Sequence, residues 1–168
     1  MPPSDLSKYK TGVRPIWCPG CGDFGVLNSL YKAFVQLNIN PDTFAIVSGN
    51  GCSSRLPGYV KAYGLHTVHG RVLPVATGLK VANPGLTVVC VGGDGDAFSI
   101  GAGHLPHAAR RNINVTYVIM DNEIYGLTKG QASPTSQPGI ITGTTPEGNR
   151  SVSINPIDRL LLGARTGV

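Results

Sequence analysis

The sequence predicts an α/β fold in which helices flank a doubly wound, mostly parallel sheet. The main reason is that apolar strands, glycine-containing loops and helical segments alternate along the chain, a pattern typical of right-handed strand–helix–strand crossovers. A second reason is the nearly uninterrupted apolar run Leu86–Val91, which is typical of a strand buried on both faces. The 168 residues suffice for one domain with a hydrophobic core.

The first third of the chain supplies an arm, a helix and a strand. Residues 1–16 are expected to be an extended arm. A helix is predicted from Asp23, as its N-cap, to Gln36. Apolar side chains recur on one face of this helix, namely Val26, Leu27, Leu30, Phe34 and Leu37. The apolar segment Phe44–Val47 then predicts a strand that ends in the glycine-containing loop 49–54.

The rest of the chain continues the alternation. The predicted elements are a helix over Val72–Ala82, the strand Leu86–Val91, a helix from the following loop through Arg110, a strand over Val115–Met120 and a helix over Ile157–Leu162. Residues 128–153 lack periodicity and are rich in Gly, Pro, Ser and Thr. We therefore expect them to form a flexible loop over the site.

Composition narrows the function classes. Charged residues are 14% of the chain, against about 25% in an average globular protein, which indicates a surface partly covered by partner subunits. The net charge is +5, but the basic residues are scattered and no groove-reading motif accompanies them, so nucleic-acid binding is not predicted. No signal peptide or membrane-spanning run is visible. We expect a cytoplasmic protein, in which four cysteines favour metal or redox roles over disulfides.

Polar side chains follow two of the predicted strands. Asp94 lies in the Gly93–Asp96 loop, and Asn122 follows it by 28 residues, after the next strand. In an open parallel sheet, ligands bind beyond the carboxyl ends of the strands. The glycines allow backbone amides to approach phosphate oxygens. Asp94, Asn122 and the carbonyl of Ile124 are the kind of oxygen ligands that Mg²⁺ takes beside a diphosphate.

The pair of segments 93–95 (GDG) and 121–122 (DN) resembles the thiamine-diphosphate fingerprint of transketolases, pyruvate decarboxylases and 2-oxoacid oxidoreductases. The resemblance implies that Gly95, Asp96, Gly126 and Leu127 lie near the diphosphate. The alternative interpretation is an ordinary turn with Asp as a helix N-cap.

The cysteines suggest a second metal site. Cys18 and Cys21 form a CxxC motif, and Cys52 lies in a loop flanked by glycine. Residue chemistry alone leaves both zinc and an iron–sulfur cluster open. Cys90 lies inside a predicted strand and is interpreted as a small core residue.

The segments 17–22 (WCPGCG), 51–55 (GCSSR) and 66–71 (HTVHGR) resemble the β subunits of 2-oxoacid:ferredoxin oxidoreductases, and the similarity runs from about residue 14 to residue 139. In that family the matching cysteines bind a [4Fe-4S] cluster, so the resemblance assigns Cys18, Cys21 and Cys52 to it. The family's fourth cysteine lies in a region that this sequence does not contain. We therefore expect residues 1–168 to be a single thiamine-diphosphate-binding domain with an N-terminal cluster-ligand arm, without the family's C-terminal part.

The same resemblance implies roles around the cofactor. It assigns cofactor contacts to Asn50, Gly51, Cys52, Ser53 and His69. It also implies that Arg55 binds the carboxylate of the substrate, for which a guanidinium is suited.

The implied activity is CoA-dependent oxidative decarboxylation of a 2-oxoacid to acyl-CoA and CO₂, with electrons passing through the cluster to ferredoxin. An α subunit is the implied partner, in a heterodimer or a dimer of heterodimers. The segments 122–128 and 130–131 look more like the 2-oxoglutarate or broad-specificity group, which favours 2-oxoglutarate. A non-oxidative thiamine-diphosphate decarboxylase and a zinc-bound structural module remain the alternatives.

Overall fold

A computed structural model describes residues 6–158. Its centre is a four-stranded parallel sheet with the order β2-β1-β3-β4. The strands are β1 (Phe44–Ser48), β2 (Tyr63–His66), β3 (Thr87–Gly93) and β4 (Thr116–Met120), and a small antiparallel pair consists of β5 (Ile124–Tyr125) and β6 (Gln131–Ala132). The helices are α1 (Asp23–Gln36), α2 (Val72–Ala82), α3 (Asp94–Phe98) and α4 (Leu105–Arg110).

The two central strands bury both of their faces. On one face, Ile46 of β1 and Val91 of β3 share a cluster with Phe34 of α1. On the other face, Val47 of β1 packs in a cluster with Ala76 of α2. Successive strand residues point to opposite sides of a sheet, so the continuous apolar runs are explained by helices on both faces. The predicted doubly wound architecture is confirmed.

The bounds of α1 and α2 are as predicted, but details of α1 differ. Gly22 is the N-cap of α1, and Asp23 is the first helical residue. Leu37, predicted to lie on the apolar face, is 69% exposed because the helix ends at Gln36. Tyr31 is buried on that face instead, and its hydroxyl donates to the carbonyl of Tyr59 at 2.7 Å.

The prediction of one helix from the β3 loop through Arg110 is wrong. The chain forms the short helices α3 and α4, separated by a bend and the 3₁₀ turn Ala102–His104. The backbone turns tightly at this break: a Cβ atom at Gly101 would lie 2.3 Å from the carbonyl oxygen of Asp96, so the turn requires glycine there. In the described residues, a long helix whose N-terminus could stabilise a diphosphate is therefore absent after Gly93.

Two further elements escaped the sequence analysis. The segment Ser53–Tyr59 forms a 3₁₀ helix after the cysteine loop, and β2 is a mostly exposed edge strand with little apolar signal. The arm is not wholly extended, since Leu6–Tyr9 form a 3₁₀ turn and the Tyr9 hydroxyl donates to the carbonyl of Phe34 at 2.9 Å. The predicted helix 157–162 lies mostly outside the described residues. Within residues 6–158, no helix is long and apolar enough to cross a bilayer.

Candidate functional site

The site lies where the winding direction of the sheet reverses. The chain leaves β1 towards β2 and leaves β3 towards β4, so the loops after β1 and β3 diverge at the shared edge. Such a switch point is where open α/β sheets bind ligands. The two loops are tied together because the backbone N–H of Asn50 donates to Oδ1 of Asp96 at 3.0 Å.

The loops after β3 and β4 also meet. Gly93 and Met120 are register partners in the parallel pair, so Asp94 and Asp121 leave the sheet side by side. The hydroxyl of Thr135 donates to Oδ2 of Asp94 at 2.7 Å and to Oδ1 of Asp121 at 3.0 Å. Asp94 is only 2% exposed. The structure thus brings together the two segments that the sequence analysis paired.

The β4–β5 turn presents Asn122 and Ile124. Oδ1 of Asn122 accepts a hydrogen bond from the N–H of Ile124 at 3.2 Å. Glu123 adopts φ +60°, and its N–H donates to Oδ1 of Asp121 at 2.9 Å. The hydroxyl of Ser136 donates to the carbonyl of Glu123. These bonds fix the turn that carries two of the three predicted cation ligands.

The donor set fits a hard divalent cation. Within residues 6–158, Oδ1 of Asp94 accepts no hydrogen bond, and it is not one of the sealed oxygens without a partner, so it stays accessible to a cation although the residue as a whole is almost fully buried. Carboxylate, amide and carbonyl oxygens are the ligands that Mg²⁺ prefers. Whether Asp94, Asn122 and Ile124 are its ligands remains a prediction.

Asp96 connects three loops through one oxygen. Its Oδ1 accepts from the N–H of Asn50, from the N–H of Gly70 at 2.8 Å, and contacts Nδ1 of His69 at 3.2 Å. Its other oxygen, Oδ2, is buried without a hydrogen-bond partner in the described structure. Burial, together with the Asp96 carboxylate, raises the pKa of Tyr117 above its usual range.

Glycine is required where these groups approach the backbone. A Cβ atom at Gly49 would lie 2.1 Å from Oδ1 of Asp96, and one at Gly95 would lie 2.2 Å from the Tyr125 ring. The Tyr125 ring also neighbours that of His69, with 5.9 Å between ring centroids. His69 and Gly95, both predicted to contact the cofactor, thus share one neighbour.

The cysteine loop reaches the β4–β5 turn. A Cβ atom at Gly126 would lie 3.9 Å from Sγ of Cys52 and 3.5 Å from the amide nitrogen of Asn122. The indole N–H of Trp17 donates to the carbonyl of Cys52 at 2.7 Å, which anchors the arm beside this loop. The predicted cluster ligand Cys52 therefore lies near a predicted cation ligand.

Cys18 and Cys21 lie in the same neighbourhood. The N–H of Cys21 donates to the carbonyl of Cys18 at 3.0 Å. Burial raises the pKa of the Cys52 thiol, and the negative charges of Asp23, Cys21 and Cys18 raise it further. Within residues 6–158, no three His, Cys, Asp or Glu side chains form a group already positioned to hold a metal. Cys90 is fully buried in β3, as predicted for a core residue.

The remaining predicted residues flank these loops. Arg55 is exposed in the 3₁₀ helix after Cys52. Ser53 is buried against Gly93, and Leu127 is 47% exposed. Their contacts with a cofactor or substrate remain predictions.

A cavity of about 230 Å³ opens beside the β4–β5 turn. It is lined by Asp121, Glu123, Thr135, Gln137, Ser153, Ile154, Asn155 and Pro156. None of the residues predicted to bind the cofactor or metals lines it. The donor chemistry of the loops, rather than this cavity, identifies the candidate site.

Sequence reasoning missed the hydroxyl groups that join the loops. Thr135 and Ser136 fall within residues 128–153, which were expected only to cover the site. The available signal was a short run of hydroxyl residues, 133–136 (SPTS), in an otherwise irregular segment. Hydroxyls of this kind compete for local polar partners, but the sequence does not say which ones.

Comparison with known proteins identifies the family. Residues 48–165 match the family described as thiamine pyrophosphate enzyme, C-terminal TPP binding domain. The chain is 51% identical over 149 residues to 2-oxoacid:ferredoxin oxidoreductase 2, subunit beta, from Aeropyrum pernix, over 89% of this chain and 48% of that protein. It is 51% identical over 148 residues to 2-oxoglutarate oxidoreductase subunit KorB from Mycobacterium tuberculosis, over 88% and 39% of the two chains.

The fold agrees with a solved structure. A chain of 2-oxoglutarate:ferredoxin oxidoreductase from Magnetococcus marinus, with 2-oxoglutarate, coenzyme A and succinyl-CoA bound, matches with a TM-score of 0.92 at 56% identity. The match covers 95% of this chain and 55% of that one, so the present chain spans about half the length of such relatives. The chain belongs to the thiamine pyrophosphate enzyme family, and its sequence and fold are similar to those of 2-oxoacid:ferredoxin oxidoreductase subunits.

Proposed function

We propose that this chain binds Mg²⁺–thiamine diphosphate and is part of the β subunit of a 2-oxoacid:ferredoxin oxidoreductase. The observation that carries the proposal is the meeting of three loops. The Asp94 loop and the Asp121–Asn122 turn are bridged by one hydroxyl, and Sγ of Cys52 lies close to Gly126 in that turn. This arrangement supports the proposal, because a diphosphate–metal site at Asp94 and a cluster ligand at Cys52 would then be neighbours.

Asp94, Asn122 and the carbonyl of Ile124 would hold the cation. The loop residues Asn50, Gly51, Ser53, Gly95 and Asp96, together with His69, Gly126 and Leu127, would surround the cofactor. When bound, thiamine diphosphate supplies the carbanion chemistry that lets a 2-oxoacid lose CO₂. The protein contributes positioning, exclusion of water and fixed charge.

Arg55 would bind the substrate carboxylate. It is exposed, and its side chain has no ion-pair partner within residues 6–158. A planar guanidinium can hold a carboxylate through two parallel hydrogen bonds. The side chain is therefore available to an incoming anion.

Cys18, Cys21 and Cys52 would ligate a [4Fe-4S] cluster. In the overall reaction the bond between the carbonyl carbon and the carboxylate breaks, a thioester forms with coenzyme A, and electrons and a proton are released. A cluster beside the cofactor accounts for the electrons, which would pass to ferredoxin. The names of the relatives support ferredoxin as the acceptor.

The preferred substrate is 2-oxoglutarate. The M. tuberculosis relative is named for 2-oxoglutarate, and the matching solved structure holds 2-oxoglutarate and coenzyme A. An α subunit would complete the active enzyme, in a heterodimer or a dimer of heterodimers in the cytoplasm.

The test is an anaerobic assay of the chain co-expressed with its α subunit. CoA-dependent reduction of a low-potential dye is measured with 2-oxoglutarate, pyruvate and a branched-chain 2-oxoacid, and 2-oxoglutarate should be turned over fastest. If no 2-oxoacid reduces the dye, the proposal is wrong. Iron and acid-labile sulfide are measured on the same sample. Decarboxylation without iron would instead support the non-oxidative alternative, and zinc without thiamine diphosphate would support a structural module.

A further inference from the structure

A buried group of hydroxyls lies between the two loops that carry the predicted cation ligands. We call Ser133, Thr135 and Ser136 the hydroxyl loop; all are buried. The N–H of Ser133 donates to Oγ of Ser136 at 2.7 Å, and the N–H of Ser136 donates to the carbonyl of Ser133 at 3.1 Å. The loop is therefore closed by its own hydrogen bonds, which fixes where the Thr135 side chain points.

The Thr135 hydroxyl has one proton and lies between two carboxylates. Its Oγ1 lies 2.7 Å from Oδ2 of Asp94 and 3.0 Å from Oδ1 of Asp121. An ionised carboxylate only accepts hydrogen bonds, so Thr135 is the donor in both contacts. Bonds to an ionised acceptor are stronger than neutral ones. The hydroxyl therefore restricts rotation of the Asp94 carboxylate.

The two carboxylate oxygens of Asp94 have different surroundings. Oδ2 of Asp94 is occupied by Thr135, whereas Oδ1 has no hydrogen-bond partner in residues 6–158. Asp94 belongs to the β3 loop and its cation would be shared with the β4–β5 turn. Oδ1 is thus the oxygen left free for the cation.

The hydroxyl loop also holds the second ligand segment. The Ser136 hydroxyl donates to the carbonyl of Glu123, the residue after Asn122, while its own carbonyl accepts from the side-chain amide of Asn149 at 3.4 Å. One short loop therefore contacts both segments that would share the metal.

The geometry points to Thr135 as a positioning residue for the cation site. Its hydroxyl holds Oδ2 of Asp94, which would leave Oδ1 to the cation, and the Ser136 hydroxyl holds the carbonyl of Glu123 in the Asn122 turn. Thr135 would act through Asp94 rather than as a ligand itself. This inference rests on the proposed function, because it requires a cation at Asp94.

The experiment measures cation affinity directly. Mn²⁺ takes the same oxygen ligands as Mg²⁺, and free Mn²⁺ is counted by electron paramagnetic resonance while the purified protein is titrated with thiamine diphosphate present. Thr135→Val keeps the shape of the side chain and removes the hydroxyl, and Thr135→Ser keeps the hydroxyl. Thr142→Val is the matched control, because it makes the same change in the same irregular segment and the Thr142 hydroxyl contacts only Thr144 and Thr145.

Loss of a group that orients a metal ligand weakens metal binding by about 10- to 100-fold, and Thr135→Val should fall in this range. Thr135→Ser should restore most of the affinity, and Thr142→Val should stay near wild type. Thr135→Val with wild-type affinity overturns the inference, as does an equal loss in Thr142→Val, which would indicate general loosening of the segment. If Thr135→Val does not fold by circular dichroism, Thr135→Ala replaces it with the same expectation. A wild-type protein that binds no Mn²⁺ overturns the proposed function itself, a distinguishable result.

Discussion

The cation region and the cysteine region of the site are built in different ways. The cation region consists of Asp94, the 121–124 turn and Thr135, and side-chain hydrogen bonds join its loops. The cysteine region consists of Cys18, Cys21 and Cys52. It is held by the backbone hydrogen bond between Cys21 and Cys18 and by the bond from the Trp17 indole to the carbonyl of Cys52. In the cation region, hydrogen bonds restrict the side chains of the predicted ligands. In the cysteine region, the bonds hold the backbone loops near one another but do not restrict the cysteine side chains.

The difference follows from the chemistry of the two metals. Mg²⁺ loses its water reluctantly and demands near-ideal octahedral geometry, so preset oxygens favour its binding. Thiolates bind their metal strongly, and such binding is commonly coupled to ordering of the protein. The pKa of Cys52 is raised chiefly by burial and further by the nearby Asp23 carboxylate, so its thiolate is disfavoured in the absence of a cation. The two regions should therefore be separable by mutation.

The largest effect should come from Asp94→Ala. Among residues 6–158, Asp94 supplies the only buried carboxylate of the cation region with an oxygen that accepts no hydrogen bond. Its removal should lower cation affinity by more than the ~100-fold limit for orienting groups. Thiamine diphosphate retained after gel filtration, assayed by thiochrome fluorescence, should drop to background, while iron content stays unchanged. Asp42→Ala, at an exposed turn, is the control. A variant that retains stoichiometric thiamine diphosphate would contradict the metal assignment.

The reciprocal change is Cys52→Ala, compared with Cys90→Ala. Iron and acid-labile sulfide in anaerobically purified protein should be lost in the first variant and kept in the second, because Cys90 is sealed inside β3. Thiamine diphosphate should remain bound in both.

Thiol reactivity provides a check on the same assignment. Burial raises the pKa of Cys90 to about 12, so almost no reactive thiolate exists at pH 8. In cluster-free native protein, iodoacetamide should label the exposed Cys18 and spare Cys90. Labelling of Cys90 at the rate of Cys18, or loss of iron in Cys90→Ala, would show that Cys90 is not merely a core residue.

The sequence predicted which loops meet better than the bonds that hold them together. The meeting of the Asp94 and Asn122 segments was predictable because each follows a strongly apolar strand, and parallel strands end at one edge of a sheet. Thr135 was not identifiable, since it approaches Asp94 from 41 residues away through a loop without periodicity. The break after α3 was missed for a similar reason: the contact of Gly101 with the Asp96 backbone exists only after folding.

The last prediction concerns stability rather than binding, at the residue that connects the two regions. Asp96 accepts hydrogen bonds from the backbones of Asn50, in the Cys52 loop, and Gly70, all on Oδ1. Asp96→Ala leaves these donors unpaired, which should lower the free energy of unfolding by about 3 kcal/mol in urea titrations. Asp96→Asn keeps an acceptor oxygen at the Oδ1 position and removes only the charge, so its loss should be about 1 kcal/mol. Equal losses would mean that the charge of Asp96, rather than its hydrogen bonds, joins the cysteine loop to the cation region.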